Sequence, residues 1–162
     1  MERTCPDMRT PWGDLRRIGK LADGAWFVSA QKHGGILMSE EYARKHIPTS
    51  VLGQKKSSNG YYDFEEDCEA NIPLFFSPEL IGSMVKESSP SLSGDVLKKA
   101  EARHAYYVLR GMSYFYPEKI KGNASSVDAF KKYALSKDWP EKEKSMVLNA
   151  IEEEKKRVLS AA

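Results

Sequence analysis

Short apolar stretches separated by glycines follow the first fifteen residues, in a pattern typical of β-strands. The predicted strands are residues 16–21, 25–30 and 35–38. Asp23-Gly24 lies between the first two strands and predicts a two-residue hairpin of type I′, which needs a positive φ at both positions. Lys32-His33-Gly34-Gly35 is predicted to form the second turn, with its glycines supplying unusual dihedral angles. The pattern therefore predicts a meander of three antiparallel strands, which needs a covering layer.

Helical spacing of apolar residues dominates the rest of the chain. The predicted helices are 40–46, 61–76, 78–86, 95–115, 126–135 and 141–159. Ser39 and Ser77 are the expected N-caps of the first and third of these helices. The second begins with five acids and no base, which suits the positive end of a helix dipole. The serine-, lysine- and glycine-containing segment 49–60 is predicted to be an exposed loop.

These elements predict an α+β fold, with a small three-stranded antiparallel sheet packed by helices and a helical C-terminal extension. We expect a single α+β domain over residues 10–122 and the helical extension over residues 123–162. The chain has 162 residues, of which 41 % are hydrophobic and 30 % charged, so it can bury a sizeable core. No internal repeat is evident.

Charge and terminal composition exclude several classes of protein. Lysine and arginine number 25 against 23 acids, a net charge of +2, which argues against a basic nucleic-acid coat and against mimicry of DNA. No apolar run approaches the ~20 residues of a membrane helix. The N-terminal segment has no apolar signal-peptide region, so we expect a cytoplasmic protein with no membrane association. Two cysteines, Cys5 and Cys68, do not make a disulfide framework.

A joint pattern of short motifs resembles an uncharacterised domain family of phage, plasmid and other mobile-element proteins. The motifs are Pro11-Trp12-Gly13, His33-Gly34-Gly35 and the run Glu65-Glu66-Asp67-Cys68-Glu69 after two tyrosines. The resemblance covers about residues 10–82, and a wider extent would include the aromatic helix up to Tyr116-Pro117. It implies no biochemical activity but a context, an accessory protein of a mobile element, in which interference with host defence is a common role.

His33 and the acidic run contain the residue types of a catalytic or metal-binding site. His33, Glu65 and Asp67 are the candidate catalytic residues, and His33, Glu65 and Glu69 are the candidate metal ligands. Glu65 and Glu69 would share one face of the predicted helix, and an imidazole with two carboxylates can bind Mg²⁺, Mn²⁺ or Zn²⁺. A structural interpretation competes: the acids would compensate a helix dipole, and His33 would only hydrogen-bond the backbone.

Aromatic and arginine residues alternate along the predicted helix 95–115. Arg103, Tyr107, Arg110 and Tyr114 are three or four residues apart and would form one stripe, a candidate partner-binding surface. Tyrosine and arginine anchor many protein interfaces and also stack on nucleobases. The competing interpretation is a half-buried core, which we favour for Tyr107 and Phe115.

These observations favour a non-enzymatic interaction protein of a phage or mobile element that binds and inhibits or adapts a host protein, with host-defence proteins as one class of partner. It would need no cofactor and would bind nucleic acid at most weakly. The alternative is a metal-assisted hydrolase or nuclease-like enzyme that uses a divalent metal at His33 and the acidic cluster between Glu65 and Glu69. The sequence does not decide whether the protein is an enzyme or what its oligomeric state is.

Overall fold

The computed structural model describes residues 9–160, so Cys5 lies outside the described residues. The strands are β1 (Arg9–Thr10), β2 (Gly13–Ala22), β3 (Ala25–Ala30), β4 (Gly34–Ser39) and β5 (Tyr61–Glu65). The helices are α1 (Glu40–His46), α2 (Thr49–Leu52), α3 (Asn71–Phe76), α4 (Leu80–Ser88), α5 (Gly94–Phe115), α6 (Pro117–Lys121), α7 (Ala124–Ser136) and α8 (Glu141–Ser160). The predicted α+β class is confirmed.

The sheet is an antiparallel meander in which each strand pairs with the next, in the order β1-β2-β3-β4-β5. Four strands, β2 to β5, form its body, and the two-residue β1 pairs with the start of β2. The prediction of three strands is therefore wrong. It missed β5 because the acids in that strand alternate with aromatic residues, and this period of two was interpreted as the start of a helix.

The predicted helix over residues 61–76 does not exist as one element. Residues 61–65 are β5, with Tyr62 and Phe64 buried on one face. Residues 66–70 form turns, and helix α3 begins only at Asn71. Pro73 is the third residue of α3, where a missing N–H costs no intrahelical hydrogen bond.

The hairpin between β2 and β3 has the predicted length but not the predicted turn type. Ala22 pairs with Ala25, which leaves Asp23 and Gly24 as the loop. Gly24 has a φ of 99°, whereas Asp23 is not among the described residues with positive φ, so the turn is not type I′. The carbonyl of Gly24 accepts a 2.7 Å hydrogen bond from the N–H of Ser39, which ties the turn to the end of β4.

Helix α1 begins where the capping residue predicts. The side-chain oxygen of Ser39 accepts a 3.1 Å hydrogen bond from the N–H of Tyr42, and acids occupy the first turn. The predicted loop over residues 49–60 is wrong in its first part: residues 49–52 form α2, whose Val51 and Leu52 are buried.

The chain divides into two compact units, Met1–Pro73 and Leu74–Ala162. The first contains the sheet, and one face of the sheet packs a buried cluster around two tryptophans, with Trp12, Trp26, Val28, Ala30 and Leu37 as its members. The expected boundary between residues 122 and 123 falls inside the second unit, between α6 and α7, and it stays a prediction.

Helices α5, α7 and α8 form the body of the second unit. Two ion pairs join α7 to α8: Lys131 with Glu152, and Asp128 with Lys155. The earlier residue of α7 pairs with the later residue of α8, so the two helices are antiparallel. Arg110 of α5 pairs with Glu153, as Arg103 does with Glu143, so α5 and α8 run in the same direction. Fully buried Phe130, Val147 and Ile151 fill the space between the helices.

Glu101 is a buried acid of α5 whose charge is balanced within the second unit. Its carboxylate accepts a 3.0 Å hydrogen bond from the hydroxyl of Tyr133 and lies 2.9 Å from the ammonium of Lys137. Burial, followed by the neighbouring Glu101, raises the pKa of Tyr133 and keeps the phenol protonated. Glu101 is therefore a satisfied structural group. Within residues 9–160, no helix has both the length and the apolar character that crossing a membrane requires.

Candidate functional site

The register of β4 and β5 brings the motif residues of the first unit together. Gly35 pairs with Glu65, and counting outwards along both strands places residue 33 opposite residue 67. The N–H of Glu66 donates a 3.0 Å hydrogen bond to the carbonyl of Gly34, in keeping with this register. Glu65 is the last residue of β5, and the turn that follows it brings Asp67 close to both His33 and Glu65.

His33, Glu65 and Asp67 form a three-residue cluster, which we call the His–carboxylate triad. Each offers one ligand atom, and the three atoms lie within 4.8 Å of one another. His33 Nδ1 is 3.6 Å from Glu65 Oε1, and both side chains are about half exposed. The three candidate catalytic residues are therefore close together, on the surface.

The two glycines after His33 allow this close approach. A Cβ atom on Gly35 would lie 2.1 Å from the carbonyl oxygen of Phe64 and 2.7 Å from Cη2 of Trp12. Neither Gly34 nor Gly35 is among the described glycines with positive φ, so the expectation of unusual dihedral angles is wrong. These glycines are strand residues that let β5 and Trp12 pack tightly against β4.

Glu69 does not join the triad. Its carboxylate lies 2.8 Å from the ammonium of Lys55, which also lies over the ring of Phe64. The candidate metal set of His33, Glu65 and Glu69 assumed helical spacing. In the structure a turn follows Glu65, and Asp67 instead of Glu69 lies beside His33 and Glu65. The alternation of acidic and aromatic residues from Tyr61 to Glu65 was the signal for this strand.

In the stripe on α5, the tyrosines are exposed and the arginines form ion pairs with residues of α8. Tyr107 is 68 % exposed and Tyr114 is 81 % exposed, so the core interpretation that we favoured for Tyr107 is wrong. It is also wrong for Phe115, which is 50 % exposed. Arg110 lies 2.8 Å from Glu153 and also donates to the hydroxyl of Tyr106, while Arg103 lies 3.8 Å from Glu143.

Three comparisons place the chain among known proteins. The fold and the triad define an α+β protein whose sheet carries an imidazole and two carboxylates at one end. The chain belongs to a family described as a domain of unknown function, DUF7007, whose model matches residues 5–107. The match includes the sheet, the triad and α5 as far as Tyr107. The search of curated proteins and the search of solved structures found no match.

The family fits the expected relationship to an uncharacterised domain family. Its description names no activity, ligand or source, so the origin in a phage or mobile element stays a prediction. The match begins at residue 5 and continues beyond residue 82 into α5, ending within the wider of the two expected extents.

Proposed function

We propose that this protein is a non-enzymatic interaction protein that binds a host protein through the exposed stripe of α5. The observation that carries the proposal is the exposure of two tyrosines, Tyr107 and Tyr114, on the same face of one helix. Large exposed aromatic side chains about two helical turns apart on one face are typical anchors of protein interfaces, since they bury much area at little cost in side-chain entropy.

The charge of the stripe indicates the kind of partner surface. Between residues 96 and 115 the helix exposes Lys99, Arg103 and Arg110, while its one acid in that range, Glu101, is buried. Because Arg103 and Arg110 already form ion pairs, an apolar partner surface that receives the two tyrosines complements this arrangement. We favour a protein over a nucleic acid because Glu143 and Glu153 already pair with the two arginines, which reduces the charge left for phosphates.

The biological setting belongs to the same proposal. The resemblance to mobile-element proteins in the Pro-Trp-Gly, His-Gly-Gly and acidic motifs supports a partner in the host cell, with defence proteins that are inhibited or adapted as one class.

The test is quantitative binding to a defined partner. Full-length protein is used to capture host proteins, and each captured protein is purified and titrated by calorimetry. We expect Tyr107→Ser/Tyr114→Ser to weaken binding at least about tenfold, because interface tyrosines are frequent hot spots. Leu135→Ser and Leu159→Ser are matched controls, since these leucines are 53 % and 73 % exposed on other helices, and they should leave the affinity unchanged.

Two results would count against the proposal. Equal affinity of the double tyrosine variant and the wild type would remove α5 as the contact surface. Capture of nucleic acid instead, with an affinity that falls steeply as salt is raised, would favour phosphate binding by the arginines.

A further inference from the structure

The His–carboxylate triad lies in the other compact unit and is not used by the proposed interaction. We propose that His33, Glu65 and Asp67 form a binding site for one divalent first-row transition metal ion, with Zn²⁺ as the best match. This inference is independent of the interaction surface on α5, so either can fail without the other.

The spacing of the donor atoms supports a metal site. Zinc bonds to nitrogen and oxygen are about 2.0–2.2 Å long, which places neighbouring tetrahedral ligands roughly 3.4 Å apart. His33 Nδ1 and Glu65 Oε1 are already 3.6 Å apart. The largest separation within the triad is no more than 4.8 Å, and rotation of the exposed Asp67 side chain can shorten it.

The donor types favour a transition metal over Mg²⁺ or Ca²⁺. Magnesium and calcium prefer sites made of oxygen ligands, whereas imidazole is a strong ligand for zinc and its first-row neighbours. Three protein ligands leave a fourth position open, as in zinc sites that bind water or substrate. The half-exposed position of His33 and Glu65 gives an ion access from solvent.

The charge balance of the triad also points to a cation. Among residues 9–160, no lysine or arginine forms an ion pair with Glu65 or Asp67. The contact of His33 with Glu65 is too long for a hydrogen bond, so it does not by itself explain the arrangement. The backbone brings two carboxylates to one imidazole, and a divalent ion would neutralise them.

Two features of the fold hold the donors in place before any ion binds. Glu65 ends β5 directly opposite Gly35, where the absence of a side chain keeps the strands close. The hydrogen bond from Glu66 N–H to Gly34 fixes the backbone between the two carboxylates. Preorganisation of this kind lowers the entropy cost of binding.

The same site is what the alternative of a metal-assisted hydrolase or nuclease-like enzyme requires. A bound metal would supply a Lewis acid at the open position. Metal binding is therefore the first requirement of that alternative, and it can be measured without knowing a substrate.

The experiment is a calorimetric titration of the untagged, full-length chain with ZnCl₂, after removal of metal with a chelator. We expect one Zn²⁺ per chain, with excess Mg²⁺ unable to displace it. His33→Ala, Glu65→Gln and Asp67→Asn should each weaken binding by about tenfold or more, since each removes a ligand. Co²⁺ in place of Zn²⁺ should give visible absorption bands, which His33→Ala abolishes.

Glu69→Gln is the matched control. It removes the same charge from the same turn, but Glu69 pairs with Lys55 outside the triad, so zinc affinity should be unchanged. Circular dichroism without metal verifies that each variant is folded, and His33→Gln is the second variant at that position.

Three results would overturn the proposal. The first is no binding of Zn²⁺ to the wild-type protein. The second is full binding to folded His33→Ala and His33→Gln, which would mean that carboxylates alone attract the ion. The third is a loss in Glu69→Gln equal to that in Asp67→Asn, which would mean that binding follows the charge of the turn and not the geometry of the triad.

Discussion

At the scale of single residues, the absence of a side chain is as important as the presence of one. Gly35 lies where β4, β5 and Trp12 meet, and a methyl group there would overlap the carbonyl oxygen of Phe64. The sequence showed a His-Gly-Gly motif, and its glycines were predicted to be turn residues. Only the strand register identifies the neighbour that requires them.

Gly35→Ala should destabilise the first unit strongly. The added Cβ would lie 2.1 Å from a backbone atom, which cannot move without disturbing the sheet. Overpacking of this kind costs about 1–3 kcal/mol and occasionally more, and we expect the upper part of that range. Denaturant unfolding, monitored by the fluorescence of the buried tryptophans, measures the loss.

Gly122→Ala is the control for this substitution. A Cβ at that position would meet the carbonyl of Glu118 at 3.4 Å, an ordinary contact, and the backbone is in the right-handed helical region. Its free energy of unfolding should stay close to that of the wild type. Equal loss in the two variants would mean that the tight packing at Gly35 is not what makes glycine necessary there.

His104 on α5 should make stability depend on pH. Burial lowers its pKa below the ordinary value of 6.5, so the folded state disfavours the imidazolium. As the pH falls below 6.5, the unfolded chain binds a proton that the folded chain does not, and the free energy of unfolding decreases. The contribution of neutral His104 to the free energy of unfolding is fully present above pH 6.5. It is lost as the pH falls through the lowered pKa that His104 has in the folded state.

Urea unfolding at a series of pH values, for wild type and His104→Gln, measures this effect. All other ionisable groups are the same in the two proteins, so the difference between the two curves isolates His104. We expect the wild type to lose more stability on acidification than the variant. Parallel curves would show that His104 is equally easy to protonate in the folded and unfolded chains.

At the scale of secondary-structure elements, periodicity correctly predicted those whose pattern is unambiguous. The three strands in residues 13–39 and the helices α1, α5, α7 and α8 lie close to the predicted ranges. Strand β5 was missed because it is only five residues long and contains acids, and acidic residues are also typical of the first turn of a helix. Its pairing with β4 outweighed the local preference, and this changed which acids face His33.

Helix α8 illustrates how an element rich in charges is held in place. Its buried face includes Val147, Ala150, Ile151 and Val158, while its exposed charges pair with residues of α5 and α7. Burial of apolar area is the larger contribution, because exposed ion pairs are screened by water and cost side-chain entropy.

Ile151→Ala should therefore destabilise the second unit by about 2–5 kcal/mol, the usual cost of removing a fully buried aliphatic side chain. Glu152→Gln, one residue further along and exposed, removes the ion pair with Lys131 and should leave the midpoint of thermal unfolding nearly unchanged. Thermal unfolding followed by circular dichroism compares the two. A larger shift for Glu152→Gln would mean that charge, and not apolar packing, anchors α8.

At the scale of the whole molecule, the chain forms two compact units, one built around the sheet and one around the long helices. The candidate metal site belongs to the first and the exposed stripe of α5 to the second. The boundary between the two units, Pro73/Leu74, lies inside helix α3. No change of composition or of hydrophobic pattern marks it, so it could not be predicted from the sequence.

Features that depend on neighbours along the chain could be predicted from the residues alone: the α+β class, the strand–turn–strand pattern of residues 13–39, the cap at Ser39 and the long helices. Those features follow from periodicity, capping and turn chemistry, which act over a few residues. Features that depend on contacts between residues far apart in the chain needed the structure. They are the pairing of β5 with β4, the proximity of His33 to Glu65 and Asp67, the ion pair of Glu69 with Lys55, and the exposure of Tyr107. These depend on which surfaces meet after folding, and a slip of one residue in the register of β4 and β5 would turn Glu65 away from His33.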